Sequence, residues 1–285
     1  MYQKGELGSA FKWLGKKYLG NYSLDVDAEA TKREIRKRLF SEVNEILSTA
    51  AQTSLPVDVV AVARLRKAEV KLLKLSSCKS LLLPRNGGFM IKVDSDLPLF
   101  KERVAIAHEL GHTFFYDLSL DPPQRVYSYK GSKYWEEHGF AFEIAREILL
   151  PTAIFEKLVR SSYQHASLRA LRELSKKCEV SYDILRLKLV NDLKLWDCVI
   201  FRSEVKGEEV RTKRRDISKG QSYRNLRIPQ LMCSETKGFG ELCNAILSVM
   251  EKKTVENDVL VQKEKYGLQV ALLPPSSALT LLQKA

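Results

Sequence analysis

Two of the chain's four histidines, His108 and His112, stand four residues apart with Glu109 beside the first, inside the apolar run "VAIAHELGHTFFYDL" that begins at Val104. On a helix, residues four apart project from one face about one turn along, so both imidazoles reach a single ion. Glu109 then sits beside the ion without ligating it. This is the layout of H-E-x-x-H zinc hydrolases, in which the metal lowers the pKa of its bound water and the glutamate takes the proton. Chance explains it poorly: with four histidines and 35 acidic residues in 285, fewer than about 0.01 such arrangements are expected. Ala105 and Phe115 extend the histidine face while Ile106, Leu110 and Phe114 form a second apolar face, which predicts a helix buried on both sides. Histidines placed there need a partner. Gly111, costly in mid-helix, predicts a close backbone approach.

A catalytic zinc takes three protein ligands and leaves a fourth position open. The third ligand is expected on a second helix, "YWEEHGFAFEIAREILLP", where Glu136, Glu137 and His138 precede the small residues Ala141 and Ala145. Small residues let that helix lie close against the first. Glu137 is one turn from Ala141 and is the preferred ligand; His138, whose chemistry suits zinc equally well, is the alternative. Zinc is the expected cofactor, and manganese also suits a His-His-carboxylate set.

The rest of the chain supplies a frame for this site. At 285 residues and 32.5 kDa, a sizeable core plus a smaller second unit is expected. Residues 24 to 51 read as an amphipathic helix carrying Ile35, Leu39, Val43, Ile46 and Leu47. A short helix from Pro56 precedes a strand ending near Leu75, and "SLLLPRNGGFMIKVDSDL" reads as a hairpin around Asn86-Gly87-Gly88. Asp96 is the expected N-cap, with Pro98 in the first turn, of the histidine helix, which runs to about Tyr116. A looser segment with Pro122, Pro123 and Gly131 leads to the second helix, which Pro151 ends. "LRELSKKCEVSYDILRLKL" reads as two helices around a break at Glu179 to Ser181, and "CVIFRSEV" and "YGLQVALLP" as strands. Residues 202 to 227 hold nine Lys or Arg against four acids and are expected to be a solvated, mobile loop. His165 reads as structural or exposed.

The order of "LPVDVVAVA", the hairpin, "LPLFKERVAIAHELGH" and "IAREILLP" resembles the ImmA/IrrE-type metallopeptidases, gluzincin-like enzymes often encoded beside phage or stress repressors. The likeness covers roughly Leu55 to Phe155. It implies a cytoplasmic zinc endopeptidase with a three-layer α/β core. It also implies ligands His108 and His112, Glu109 as general base, a glutamate third ligand matched best by Glu137, and a protein substrate that is a DNA-binding transcriptional repressor, in stress, phage or mobile-element regulation. The expected fold is α+β: a helical segment over 1–54, a metallopeptidase core of helices and a small sheet with an edge hairpin over 55–160, a helix-turn-helix-like segment over 161–198, and a small α/β accessory domain over 199–285.

The edge hairpin, residues 79 to 93, offers main-chain hydrogen bonds to an extended peptide. No apolar run approaches the roughly 20 residues of a membrane-spanning helix. The N-terminus lacks a signal-peptide h-region, and five scattered cysteines without a C-x-x-C pair read as free thiols in a reducing compartment. A net charge of +12 invites an acidic or nucleic-acid partner. The competing reading is a non-proteolytic regulator, or a DNA- or partner-binding protein, built on the same scaffold. DNA contact through the helix-turn-helix-like segment is a lesser expectation. Nothing in the sequence specifies an oligomeric state.

Overall fold

A computed structural model describes residues 9–20, 28–125, 132–252, 254–261, 264–273 and 277–284. The chain divides into two compact units, one of Met1–Ile154 with Cys178–Val180, the other of Phe155–Lys177 with Ser181–Ala285.

The first unit contains helices α1 (Ser9–Leu19), α2 (Ala28–Thr49) and α3 (Val59–Leu65), strands β1 (Ala68–Leu73), β2 (Ser80–Arg85) and β3 (Gly88–Asp94), and helix α4 (Leu99–His112). After α4 come a 3-10 turn at Thr113–Phe115, the two-residue strands β4 (Tyr116–Asp117) and β5 (Gln124–Arg125), and helix α5 (Ser132–Leu149). Helix α2 turns Ile35, Leu39, Val43 and Leu47 inward, as their helical spacing predicts; residues 24 to 27 of that expectation lie outside the described residues, as does Gly131. Asp58 caps α3, its carboxylate accepting from the Val60 and Ala61 amides. Strand β3 is central, parallel to β1 and antiparallel to β2, and its alternate residues Phe89, Ile91 and Val93 are buried. The β2–β3 turn is Asn86-Gly87, with Gly87 at φ 80°, the left-handed conformation a two-residue hairpin turn demands. That leaves β2, with Pro84 in it, as an edge strand.

Helix α4 packs against β2, β3 and α5. Its start corrects one expectation. The N-cap position is Pro98, without a side-chain cap bond, and the Pro98 carbonyl accepts from the amides of Lys101 and Glu102. Asp96 lies before the helix and pairs with Lys74. The α4–α5 contact is tight for the reason Gly111 suggests: a Cβ there would lie 2.5 Å from the Ala141 carbonyl oxygen. Two backbones therefore meet where one helix has no side chain and the other only a methyl.

The second unit contains α6 (Thr152–Ser162) from Phe155 on, α7 (Leu168–Cys178) to Lys177, α8 (Tyr182–Arg186) running into a π-helical turn at Leu187–Asp192, and a six-stranded antiparallel sheet. The strands are β6 (Val199–Lys206), β7 (Glu209–Lys219), β8 (Leu231–Met232), β9 (Thr254–Val261), β10 (Glu264–Leu273) and β11 (Ser277–Lys284), in the order β8-β7-β6-β11-β10-β9. Helix α9 (Gly240–Lys252) covers one face through Leu242 and Ile246, over Phe201, Val205, Leu268 and Val270. On the other face the Arg186 guanidinium donates to Ser218 Oγ at 2.9 Å.

The basic stretch is not a loop. Much of it is β7, where Val210 and Thr212 are buried between exposed Arg211 and Lys213. A period of two outweighs the charge, because burying alternate residues against α9 gains more than leaving the segment in water. Three of its cations are also paired: Arg211 with Glu209, Lys213 with Glu204, Arg202 with Asp183. The helix pair around Glu179 forms as expected, with Ser181 capping α8. Its second member, however, buries Arg186 and Lys188.

Candidate metal centre

Three imidazoles meet where α4 and α5 touch. His108 Nε2 lies 3.2 Å from His112 Nε2, one turn along α4, and 3.1 Å from His138 Nδ1 on α5. A tetrahedral ion with metal–nitrogen distances of roughly 2.0–2.1 Å holds its ligand atoms about 3.3–3.4 Å apart. These two separations are close to that requirement, and the three ligand atoms all lie within 4.8 Å of one another. His138 precedes Ala141 by three residues, so the Gly111–Ala141 contact that draws the helices together also brings this imidazole over the α4 pair.

The rings turn nitrogens toward one another, and the tautomer of each decides which donates. Glu137, fully buried, sets a carboxylate oxygen 2.5 Å from His112 Nδ1. A carboxylate oxygen at that position accepts from Nδ1–H and leaves Nε2 facing the other rings. Burial, reinforced by the neighbouring imidazoles, lowers the pKa of His108 to about 3. Burial and His112 lower that of His138 to about 4. Both rings are therefore uncharged at neutral pH, the state a metal ligand must have. His108 Nδ1 is buried without a hydrogen-bond partner among the described residues, a cost that the ring's other contacts must offset.

Around this cluster stand two carboxylates with different partners. Glu109 is buried, and its Oε1 accepts a hydrogen bond from Ser80 Oγ on β2 at 2.7 Å. Glu137 is clamped by Arg125, whose Nη1 donates to Oε1 at 2.7 Å and to Oε2 at 2.8 Å. Arg125 is itself held, its Nη2 donating to the Tyr116 hydroxyl at 2.9 Å across the β4–β5 pair. Of the residues singled out from the sequence, His108, His112 and the alternative ligand His138 converge. Glu109 lies beside them. Glu137, the preferred third ligand, faces the outer nitrogen of His112 and Arg125. Glu136 accepts from the Ala10 amide, and His165 is exposed.

Sequence reasoning passed over Ser80 and Arg125. Ser80 left a signal, since strand alternation turns it to the same side as buried Leu82, toward α4. Arg125 left none: it follows two prolines in a segment without periodicity.

Residues 72–190 match the model of a family described as the IrrE N-terminal-like domain, Peptidase_M78. A solved structure described as a Mycobacterium tuberculosis transcriptional regulator is similar over 86% of each chain, with a TM-score of 0.54 at 14% identity, a likeness of fold alone. A search of curated proteins gives no match. No described helix is long and apolar enough to cross a membrane.

Proposed function

We propose that this chain, which carries an ImmA/IrrE-type domain at residues 72–190, is a zinc-dependent endopeptidase that cuts a partner protein. The carrying observation is the convergence of three imidazole nitrogens beside a buried carboxylate. His108, His112 and His138 are the ligands in this reading, and Glu137 is the carboxylate that orients His112. An all-imidazole set suits zinc better than manganese, which prefers oxygen ligands.

Zinc bound there would supply Lewis acidity toward a water and a peptide carbonyl. The remaining chemistry belongs to the chain. Glu109 is the general base: Ser80 occupies Oε1, and Oε2 takes a proton from the attacking water and passes it to the leaving amine. Atoms balance as peptide plus water giving acid and amine. Arg125 holds Glu137 aimed at His112 Nδ1, which fixes the ring through the reaction. The edge of β2 pairs the substrate as an added strand, which selects an extended segment, so a folded partner offers a linker or a locally unfolded stretch.

A transcriptional repressor is the proposed substrate. The family likeness supports it, and one solved structure of similar fold is described as a transcriptional regulator. Free cysteines suit a cytoplasmic setting. The alternative of DNA contact gains little, because Arg186 of α8 and Lys188 of the turn after it are buried, and Arg211 and Lys213 of β7 are paired with Glu209 and Glu204. The test is digestion of a complex peptide mixture by zinc-loaded, chelator-stripped and zinc-restored protein, read by mass spectrometry. New termini are expected in the first and third samples and not in the second; equal termini in all three, or none, would remove the reading.

A further inference from the structure

Helix α5 carries a second feature at the metal cluster. Phe142 lies one turn after His138 on the same face, and its ring centroid is 4.1 Å from that of His108. Yet 42% of Phe142 is exposed. A single exposed aromatic is ordinary on a protein surface; this one lies against a ring of the cluster, tilted 36° to it. Beside it on the helix, Gly139 is exposed, and a Cβ added there would meet nothing within 4 Å. Gly111 is required by the backbone it touches, whereas Gly139 has no such neighbour among the described residues. A mid-helix glycine costs about 1 kcal/mol relative to alanine, and here it leaves the exposed helix surface beside the Phe142 ring bare of a side chain.

We infer that Gly139 and Phe142 form the subsite for an apolar side chain next to the scissile bond, so that the substrate is cut beside a leucine-sized residue and not beside glycine or a charged one. The inference rests on the peptidase reading for the position of the bond, but the subsite can be measured by binding alone. The probes are two dipeptide hydroxamates that differ only in a leucine or glycine side chain adjacent to the hydroxamate, titrated into the zinc-loaded full chain.

Burying an isobutyl group against an aromatic wall makes the leucine probe bind about tenfold or more tighter in the wild type. Phe142→Ala and Gly139→Leu should each reduce that ratio below about threefold. Both should leave the affinity for the glycine probe and the zinc content unchanged, and Phe142→Leu should keep the preference. A wild-type ratio near one, or a ratio untouched by either substitution, overturns the subsite. The two failures are separable: a persistent ratio in a protein that cuts no peptide sinks the peptidase reading and leaves the subsite standing. Cleavage without apolar preference does the reverse, and a chain that takes up no zinc sinks both.

Discussion

Glu109→Gln should retain zinc and lose cleavage by about 10²- to 10⁴-fold in kcat, the range that a positioned general base supplies. The amide is isosteric and still accepts from Ser80 at Oε1, so the pocket, the helix packing and the imidazole cluster stay as they are. What disappears is the capacity to accept a proton. Kinetics with a fluorogenic peptide, paired with elemental analysis, separate the two properties. Activity within about threefold of wild type would remove Glu109 from the chemistry and favour a protein that uses the metal only to hold its fold.

The second large effect concerns the third ligand. His138→Ala should empty the site, because structural zinc sites provide about 10–16 kcal/mol over their ligands, so one lost ligand weakens binding by about 10³-fold or more. Glu137→Ala should be milder in metal content, about 10- to 100-fold in affinity, as expected of a group that orients a ligand without touching the ion. It carries a further penalty, since Arg125, whose Nη1 donates to both carboxylate oxygens, loses that partner in a partly buried place. If Glu137→Ala empties the site while His138→Ala leaves it full, the ligand assignment is reversed.

These two residues show how far the sequence carries. His108, Glu109 and His112 are legible because one helix fixes their mutual geometry through covalent spacing alone. Glu137 and His138 are not, because neighbours on a helix point about 100° apart, and which of them faces α4 depends on how α5 is rolled about its axis. That roll is set by Gly111 against Ala141, a contact whose existence the sequence suggests and whose angle it does not. Ser80 and Arg125 join the site from strands that meet it only after the chain has folded. In the second unit, Val210 and Thr212 carried the strand signal between Arg211 and Lys213, but counting charge concealed the period of two. For α4, an Asp at the expected cap position was overridden by the turn at Leu97–Pro98, where the Pro98 carbonyl, in place of a side chain, opens the helix.

The chemistry assigned to this chain stands on one physical arrangement, three imidazole nitrogens gathered at the crossing of α4 and α5. The direct measurement is anomalous diffraction at the zinc edge from crystals of zinc-loaded protein. A single strong peak should lie about 2.0–2.1 Å from His108 Nε2, His112 Nε2 and His138 Nδ1. A peak bound by the Glu137 carboxylate in place of His138, or no peak among the three rings, would contradict it.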